Sequence, residues 1–561
     1  MADPAIIPQS TMTDEKAPQA QSNAMHVELE QIEENSSALD VAMLRANEEE
    51  HAMTFGQAIK RYPLATMWAA LMSFTIVMEG YDTILIISYT SYPSFVERFG
   101  TYYPELDAKV IPADWQSALS VAGFAGSVFG LLMNGYLTER FGYRKVMLFF
   151  LVALTGTIFL PFFAPNLPAL AAGMVLCGIP WGIFAMQGPA YASEVVPLAL
   201  RGVMTSAVNL CWVLGQLVAA GVLQGLVNDT TNRGWRLPFG LMWIWIPPLI
   251  IVGILAPQSP WWLVRQGRLA EAEQALQRLQ GKDTEEQVRL KLAMIVHTNK
   301  LEQAMKTDTS IWHCFRGTNL RRTEIACLIV AGQALSGQAF GVTNVYFFVQ
   351  AGLGASGAYK LSFGGTAVSV TFTVLAWILM HRVGRRTIVL CSLATMCVIY
   401  IIIGALDFKV AGNHDLVWAQ GGLLVVWLAL FQLSLGPLAF TIAAEVSATR
   451  LRSVTLSMAR NFWNVWFITT MVVEPYLINP TKANLRGKTA LVWLGTSVLL
   501  LIWAIFRLPE TKDRTFEEVD VLFEKRIPAW RFKSTRLDLL QETRAITQEI
   551  GRHGSENEAG H

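Results

Sequence analysis

Apolar runs of about 20 residues recur along this chain, and each is long enough to cross the hydrocarbon core of a bilayer, roughly 30 Å thick. They lie near residues 65–90, 115–137, 146–164, 168–190, 203–227, 238–256, 324–350, 360–381, 387–406, 417–441, 454–474 and 489–507. A hydrophilic stretch, 258–322, divides them six and six. The pattern predicts an all-α polytopic membrane protein with twelve transmembrane helices in two six-helix bundles. The domains are then an N-terminal tail 1–62, a first bundle 63–257, a helical loop 258–322, a second bundle 323–508 and a C-terminal tail 509–561.

Composition agrees with that class. Of 561 residues, 53% are hydrophobic and 16% charged, against about 25% charged in an ordinary soluble domain. A formal net charge of +1 gives no reason to expect nucleic acid. The N-terminal tail is polar and lacks a basic segment followed by an apolar one, so it reads as a disordered cytoplasmic tail rather than a signal peptide. The short loops after the second, fourth, eighth and tenth spans carry Arg140, Arg144, Lys145, Arg201, Arg382, Arg385, Arg386, Arg450 and Arg452. The positive-inside bias makes that side, both termini and the central loop cytoplasmic. Asn228-Asp229-Thr230 then lies outside and forms a glycosylation acceptor at Asn228. Six cysteines in apolar segments or the central loop suggest no extracellular disulfide framework.

Within the first span stand two carboxylates, Glu79-Gly80-Tyr81-Asp82. An ionised side chain near the bilayer centre costs roughly 2.5–3.5 kcal/mol even on the mild insertion scale, so this pair is expected to face protein or water. The pair reads as the coupling end of a transport site, with Gly80 loosening the helix beside it. Leu85-Ile86-Ile87 continues the apolar run and argues against a helix end in headgroup water.

The two halves repeat one another. Glu139-Arg140-Phe141-Gly142-Tyr143-Arg144-Lys145 after the second span matches His381-Arg382-Val383-Gly384-Arg385-Arg386 after the eighth. Gly188-Pro189 with Glu194 and Arg201 matches Gly436-Pro437 with Glu445 and Arg452, and both Glu-to-Arg spacings are seven. Carboxylate–guanidinium pairs of this kind latch the cytoplasmic ends of two bundles and must break when the bundles rock.

These motifs resemble the sugar porters of the major facilitator superfamily, and within them the fungal α-glucoside (maltose-type) permeases, over roughly residues 55–540. The resemblance rests on Glu79 to Thr83, Glu139 to Arg144, Gly178-Ile179-Pro180-Trp181-Gly182, Pro257-Gln258-Ser259-Pro260-Trp261-Trp262-Leu263, and Pro509-Glu510-Thr511-Lys512 with Thr515 to Asp520. It implies the major facilitator fold, a multi-pass plasma-membrane monomer without cofactor, and protons plus a small-molecule sugar as the transported species. It also implies that Gln216 and Gln333 bind sugar and that Phe440 occupies an aromatic platform position. Asn461 and Asn464, near Trp463 and Trp466, are further polar candidates, although an amide in a membrane helix also serves as interhelical glue.

Three positions depart from the family pattern. Met174 stands where proton-coupled members carry an arginine facing the first-helix acid, Ser127 stands where the α-glucoside branch commonly has a further acid, and Ala334 replaces a second glutamine. Arg460, a cation deep in the eleventh span, is the expected counter-charge for Glu79 or Asp82. The mechanism implied is alternating access, in which protonation of Asp82 favours sugar binding and the inner latches then open. Membrane potential contributes about 2.3 kcal/mol per 100 mV, and each pH unit about 1.4 kcal/mol.

The alternatives are a hexose or polyol facilitator, an exporter of a glycosylated metabolite, and a non-transporting sugar sensor. Leu214-Gly215-Gln216-Leu217-Val218 lacks the Gly-Pro-x-x-Gly-Gly bend of proton-driven exporters, and about 50 residues after the last span are short for a sensor tail. With neither a metal-spaced His/Cys cluster nor a nucleophile–base pair in the spans, no enzyme and no metal are expected.

Overall fold

The computed structural model describes residues 55–280, 284–306, 311–409, 414–448, 451–512, 514 and 516–535. The expectations for the tails before residue 55 and after 535, and for Arg450, lie outside the described residues, as does the side chain of Arg201. Among the described residues, ten helices are long and apolar enough to cross a membrane: Pro63–Tyr89, Ala113–Phe141, Tyr143–Phe162, Leu167–Val195, Ala207–Leu226, Asn232–Leu255, Ala355–Met380, Arg385–Asp407, Asp415–Val446 and Arg486–Arg507. They correspond to the predicted spans one to six, eight to ten and twelve.

The eleventh span is the single helix Arg452–Ile478, which carries Arg460 and Glu474 within its length. The seventh departs from the expected unbroken run 324–350. It forms three pieces, Gly317–Leu335, Gln338–Val342 and Asn344–Gln350. Gly337 sits at the first break in the left-handed region, φ +87°, where a β-carbon would also stand 2.2 Å from the Tyr400 hydroxyl. That hydroxyl donates to the Ser336 carbonyl at 2.8 Å. A break at membrane depth is tolerated because neighbouring groups satisfy the freed backbone.

The tenth span breaks at Ser434, between the helices His414–Leu433 and Leu435–Val446. Pro437 follows and has no N–H to offer the preceding turn. The side-chain amide of Gln333 donates to the carbonyls of Leu435 at 2.8 Å and Gly436 at 3.0 Å, at the start of the second of these helices.

The chain forms two compact units, one of residues 1–82, 125–215 and 239–308, the other of residues 83–124, 216–238 and 309–561. In the first unit the first and fifth spans approach backbone to backbone. A β-carbon at Gly80 would lie 2.1 Å from the Trp212 carbonyl oxygen, and one at Gly215 would lie 1.9 Å from that of Val77. Gly80 therefore does not loosen its helix as expected; the helix Pro63–Tyr89 runs through unbroken, and the glycine serves close approach.

The central loop belongs to this unit and forms the helices Pro260–Arg265, Leu269–Gln280 and Glu285–Lys306. The Ser259 hydroxyl accepts from the Trp262 N–H and Pro260 takes the first helical position, so the local sequence itself starts that helix. Ala272, Ala275, Leu276 and Leu279 form the buried stripe of the next helix. Glu273 pairs with Arg289 at 3.5 Å, which joins the second and third loop helices.

In the second unit the helix Gly317–Leu335 packs against Arg452–Ile478 and Leu435–Val446. Ala355–Arg382 packs on His414–Leu433, and Arg385–Asp407 on Thr489–Arg507. A short antiparallel hairpin, Thr101–Tyr103 with Ala108–Val110, follows the first span.

Candidate functional site

Asp82 is 4% exposed, the most enclosed of the candidate coupling residues. Its surroundings come from the fourth span, where Met174, Cys177 and Trp181 fall at helical spacing on one face and are all buried. Cys177 and Trp181 lie beside the carboxyl. Asp82 Oδ1 and the Trp181 indole N–H are both buried without a hydrogen-bond partner. Within this unit no described cation forms an ion pair with Asp82. A carboxyl held this way is costly as an anion and cheap as a neutral acid, which suits a group that takes and releases a proton. Glu79, one turn earlier, is half-buried.

The remaining coupling candidate, Arg460, and the sugar-binding candidates belong to the second unit. Gln216 is buried on the fifth span, directly after the tightly packed Gly215. Gln333, Phe440, Arg460 and Trp463 are brought together. The Arg460 guanidinium lies 5.5 Å from the Phe440 ring centre and 4.6 Å from that of Trp463, while Gln333 holds the backbone just before Phe440. Within this unit Arg460 therefore rests on aromatic faces, an arrangement that tolerates a desolvated guanidinium. Asn464 is buried, and its amide nitrogen has no hydrogen-bond partner, so it is a donor available to a ligand hydroxyl. Asn461 is exposed.

The gating candidates form two matched clusters, one in each unit, with partners the sequence did not indicate. Glu194 pairs with Arg265 at 2.9 Å and accepts from the Ser259 hydroxyl. Glu445 pairs with Arg385 at 3.1 Å and accepts from the Thr511 hydroxyl. Thus the guanidinium facing Glu445 is not that of Arg452, seven residues on, but one from the start of the ninth span.

Gln258 Oε1 accepts from the Arg144 backbone N–H at 3.3 Å, as Glu510 Oε1 accepts from that of Arg385 at 2.8 Å. Arg144 caps the end of the sixth span through the Gly253 and Ile254 carbonyls, as Arg386 caps the twelfth through that of Ile505. Pro257-Gln258-Ser259 and Pro509-Glu510-Thr511 are therefore equivalent pieces of the internal repeat. The signal was in the sequence, a Pro-amide/acid-hydroxyl run after both sixth spans.

Glu139 and Arg140 are exposed. The Glu139 carbonyl accepts from Trp262 Nε1 at 2.8 Å and Gln266 Nε2 at 3.0 Å, and Arg140 donates to the Tyr136 hydroxyl at 2.6 Å. Arg382 is exposed too, and its carbonyl accepts from Lys512.

A family model described as "Sugar (and other) transporter" matches residues 68–523. The chain is 38% identical over 499 residues to a general α-glucoside permease of Saccharomyces cerevisiae, with 88% of this chain and 80% of that protein covered. It is 36% identical over 527 residues to the maltose permease MAL31 of the same organism, covering 92% of this chain and 86% of that one. Among solved structures it is similar to the xylose transporter XylE from E. coli in an inward-open conformation, with a TM-score of 0.65, 19% identity and coverage of 81% and 98%. The proton:xylose symporter XylE bound to 6-bromo-6-deoxy-D-glucose gives a TM-score of 0.66 at 19% identity, covering 82% of this chain and 99% of that one. At that identity the likeness shows a shared fold.

Proposed function

Since this chain belongs to the sugar (and other) transporter family, we propose that it imports an α-glucoside such as maltose together with a proton, by alternating access of the two predicted bundles. The observation that carries the substrate class is the 38% identity to an α-glucoside permease across 88% of the chain. Proton coupling is supported by Asp82, a carboxyl enclosed by Cys177 and Trp181 in the first span. Gln216, Gln333, Asn461 and Asn464 are assigned to sugar hydroxyls, and Phe440 to the apolar face of the ring. The Glu194–Arg265 and Glu445–Arg385 pairs are assigned to the inner latch. The chain works as a monomer in the plasma membrane with both termini cytoplasmic, as the basic loops imply.

The test is uptake of radiolabelled maltose and glucose by a transporter-deficient yeast expressing this chain, at acidic and at neutral external pH, with Asp82→Asn beside it. Maltose uptake that rises on acidification and collapses in the variant is the expected result. A correctly localised protein that moves neither sugar at either pH overturns the reading.

A further inference from the structure

The second unit holds another enclosed carboxyl. Glu474 lies near the end of the helix Arg452–Ile478, immediately before Pro475, and is 1% exposed. Its Oε2 accepts from the Trp493 indole N–H at 2.7 Å, while Oε1 is buried without a hydrogen-bond partner. The carboxyl borders a cavity of about 10 Å³, room for one water-sized body, which Thr90, Gln116, Ser120, Thr343 and Tyr346 also line. The Tyr346 hydroxyl, beside Gln116, is likewise buried and unpartnered.

Among the described residues, the groups facing Glu474 from the elements packed around it carry no positive charge. Trp493 comes from the twelfth span and Tyr400 from the ninth, while Thr343 and Tyr346 come from the broken seventh span. Among the described residues no Lys, Arg or His forms an ion pair with it. Trp493 satisfies one oxygen only. Leaving the other as an uncompensated anion in an apolar interior costs several kcal/mol, whereas a proton turns it into a neutral hydroxyl. The cavity is far too small for a sugar ring, so its polar lining does not make a sugar subsite.

We propose that Glu474 is a second proton-binding site of this transporter, in addition to Asp82, reached through the cavity beside Thr343 and Tyr346. Loading forms an O–H bond at Oε1 and breaks one O–H bond of a hydronium ion, which leaves as water with the bonding pair. Thr343 joins the helices Gln338–Val342 and Asn344–Gln350, so the charge on Glu474 acts on the seventh span at one of its breaks.

The test reads the carboxyl directly and needs no sugar, so it stands or falls apart from the α-glucoside reading. Infrared difference spectra of the purified full-length protein are recorded between acidic and neutral pH. A titrating carboxylic C=O band is expected in the wild type, retained in Asp82→Asn and lost in Glu474→Gln. Trp493→Phe is expected to shift the frequency of that band, because Oε2 loses its donor. Wild-type spectra without a band that survives Asp82→Asn overturn the proposal, as does a Glu474→Gln spectrum equal to wild type. Should Glu474→Gln fail to fold, a Trp493→Phe spectrum identical to wild type overturns it equally.

Discussion

Gly215 on the fifth span meets Val77 on the first so closely that a β-carbon would stand 1.9 Å from the Val77 carbonyl oxygen. Gly80 makes the reciprocal approach to Trp212. Neither contact is with a flexible side-chain end, so the backbones themselves must separate to admit a methyl group. Gly215→Ala is expected to destabilise the protein by about 1–3 kcal/mol, the usual range for overpacking. A thermal unfolding midpoint in detergent clearly below wild type checks this, with the exposed, uncrowded Gly135→Ala as the control expected to change little.

Gln333 spends both amide hydrogens on the Leu435 and Gly436 carbonyls. Gln333→Leu leaves those carbonyls without the amide, which costs about 1–3 kcal/mol. The expected outcome is a lower unfolding midpoint together with impaired uptake. A raised KM with an unchanged midpoint would instead mark Gln333 as a ligand contact alone.

The clusters around Glu194 and Glu445 are built alike, but Tyr143 in the first corresponds to Arg385 in the second. Arg265 supplies in the first unit the guanidinium that Arg385 supplies in the second. Both pairs are about four-fifths buried on the carboxylate side, so each is screened less than a surface bridge. A double-mutant cycle on Glu194→Gln and Arg265→Gln is expected to return a coupling of about 0.5–3 kcal/mol. A cycle on Arg140→Gln and Glu139→Gln, both exposed, is expected to return almost none.

Asp82→Asn keeps the size of the side chain and removes its capacity to carry a proton. If the residue couples sugar to protons, the variant is expected to retain sugar exchange across liposomes while losing accumulation against a gradient. Counterflow and pH-driven accumulation measured on the same preparation separate the two, and loss of both would point to a structural defect.

Asn228 is exposed beside Asp229, whose carboxylate accepts from the Thr231 backbone N–H at 2.9 Å and hydroxyl at 2.6 Å. Those donors hold the Asp229 carboxyl below the usual carboxylate range. Because the folded value is the lowered one, the turn is supported above the unfolded value and loses that support as pH falls through the folded one. The protection of the Thr231 amide in hydrogen exchange is therefore expected to hold at neutral pH and to drop only on strong acidification. Asn228→Gln is expected to remove an endoglycosidase-sensitive mobility shift from the protein expressed in yeast.

Span number, the hydrophilic divider and the membrane class were legible in the sequence because each depends on local composition. A run of apolar residues has nowhere else to go, and the positions of the helices follow from its length. The acids in the first span and the repeated basic loops were legible for the same reason, since charge in or beside such a run is conspicuous. Partnership was not legible. Glu194 meets Arg265 across 71 positions and Glu445 meets Arg385 across 60, and nothing in a local spacing selects those arginines over Arg201 or Arg452.

Gly80 shows the same divide within one residue. A glycine in a helix either loosens it or lets another backbone approach, and the sequence is compatible with both. Only the position of Trp212 decides. Glu474 was not legible because it falls at the end of its apolar run; burial beneath Trp493 and beside Thr343 is a property of three spans packed together. The sequence by itself determined what had to cross the membrane, since that is settled by the solvent. Which polar groups face one another was decided by tertiary packing, because desolvated charges and amides must find their partners wherever the fold brings them.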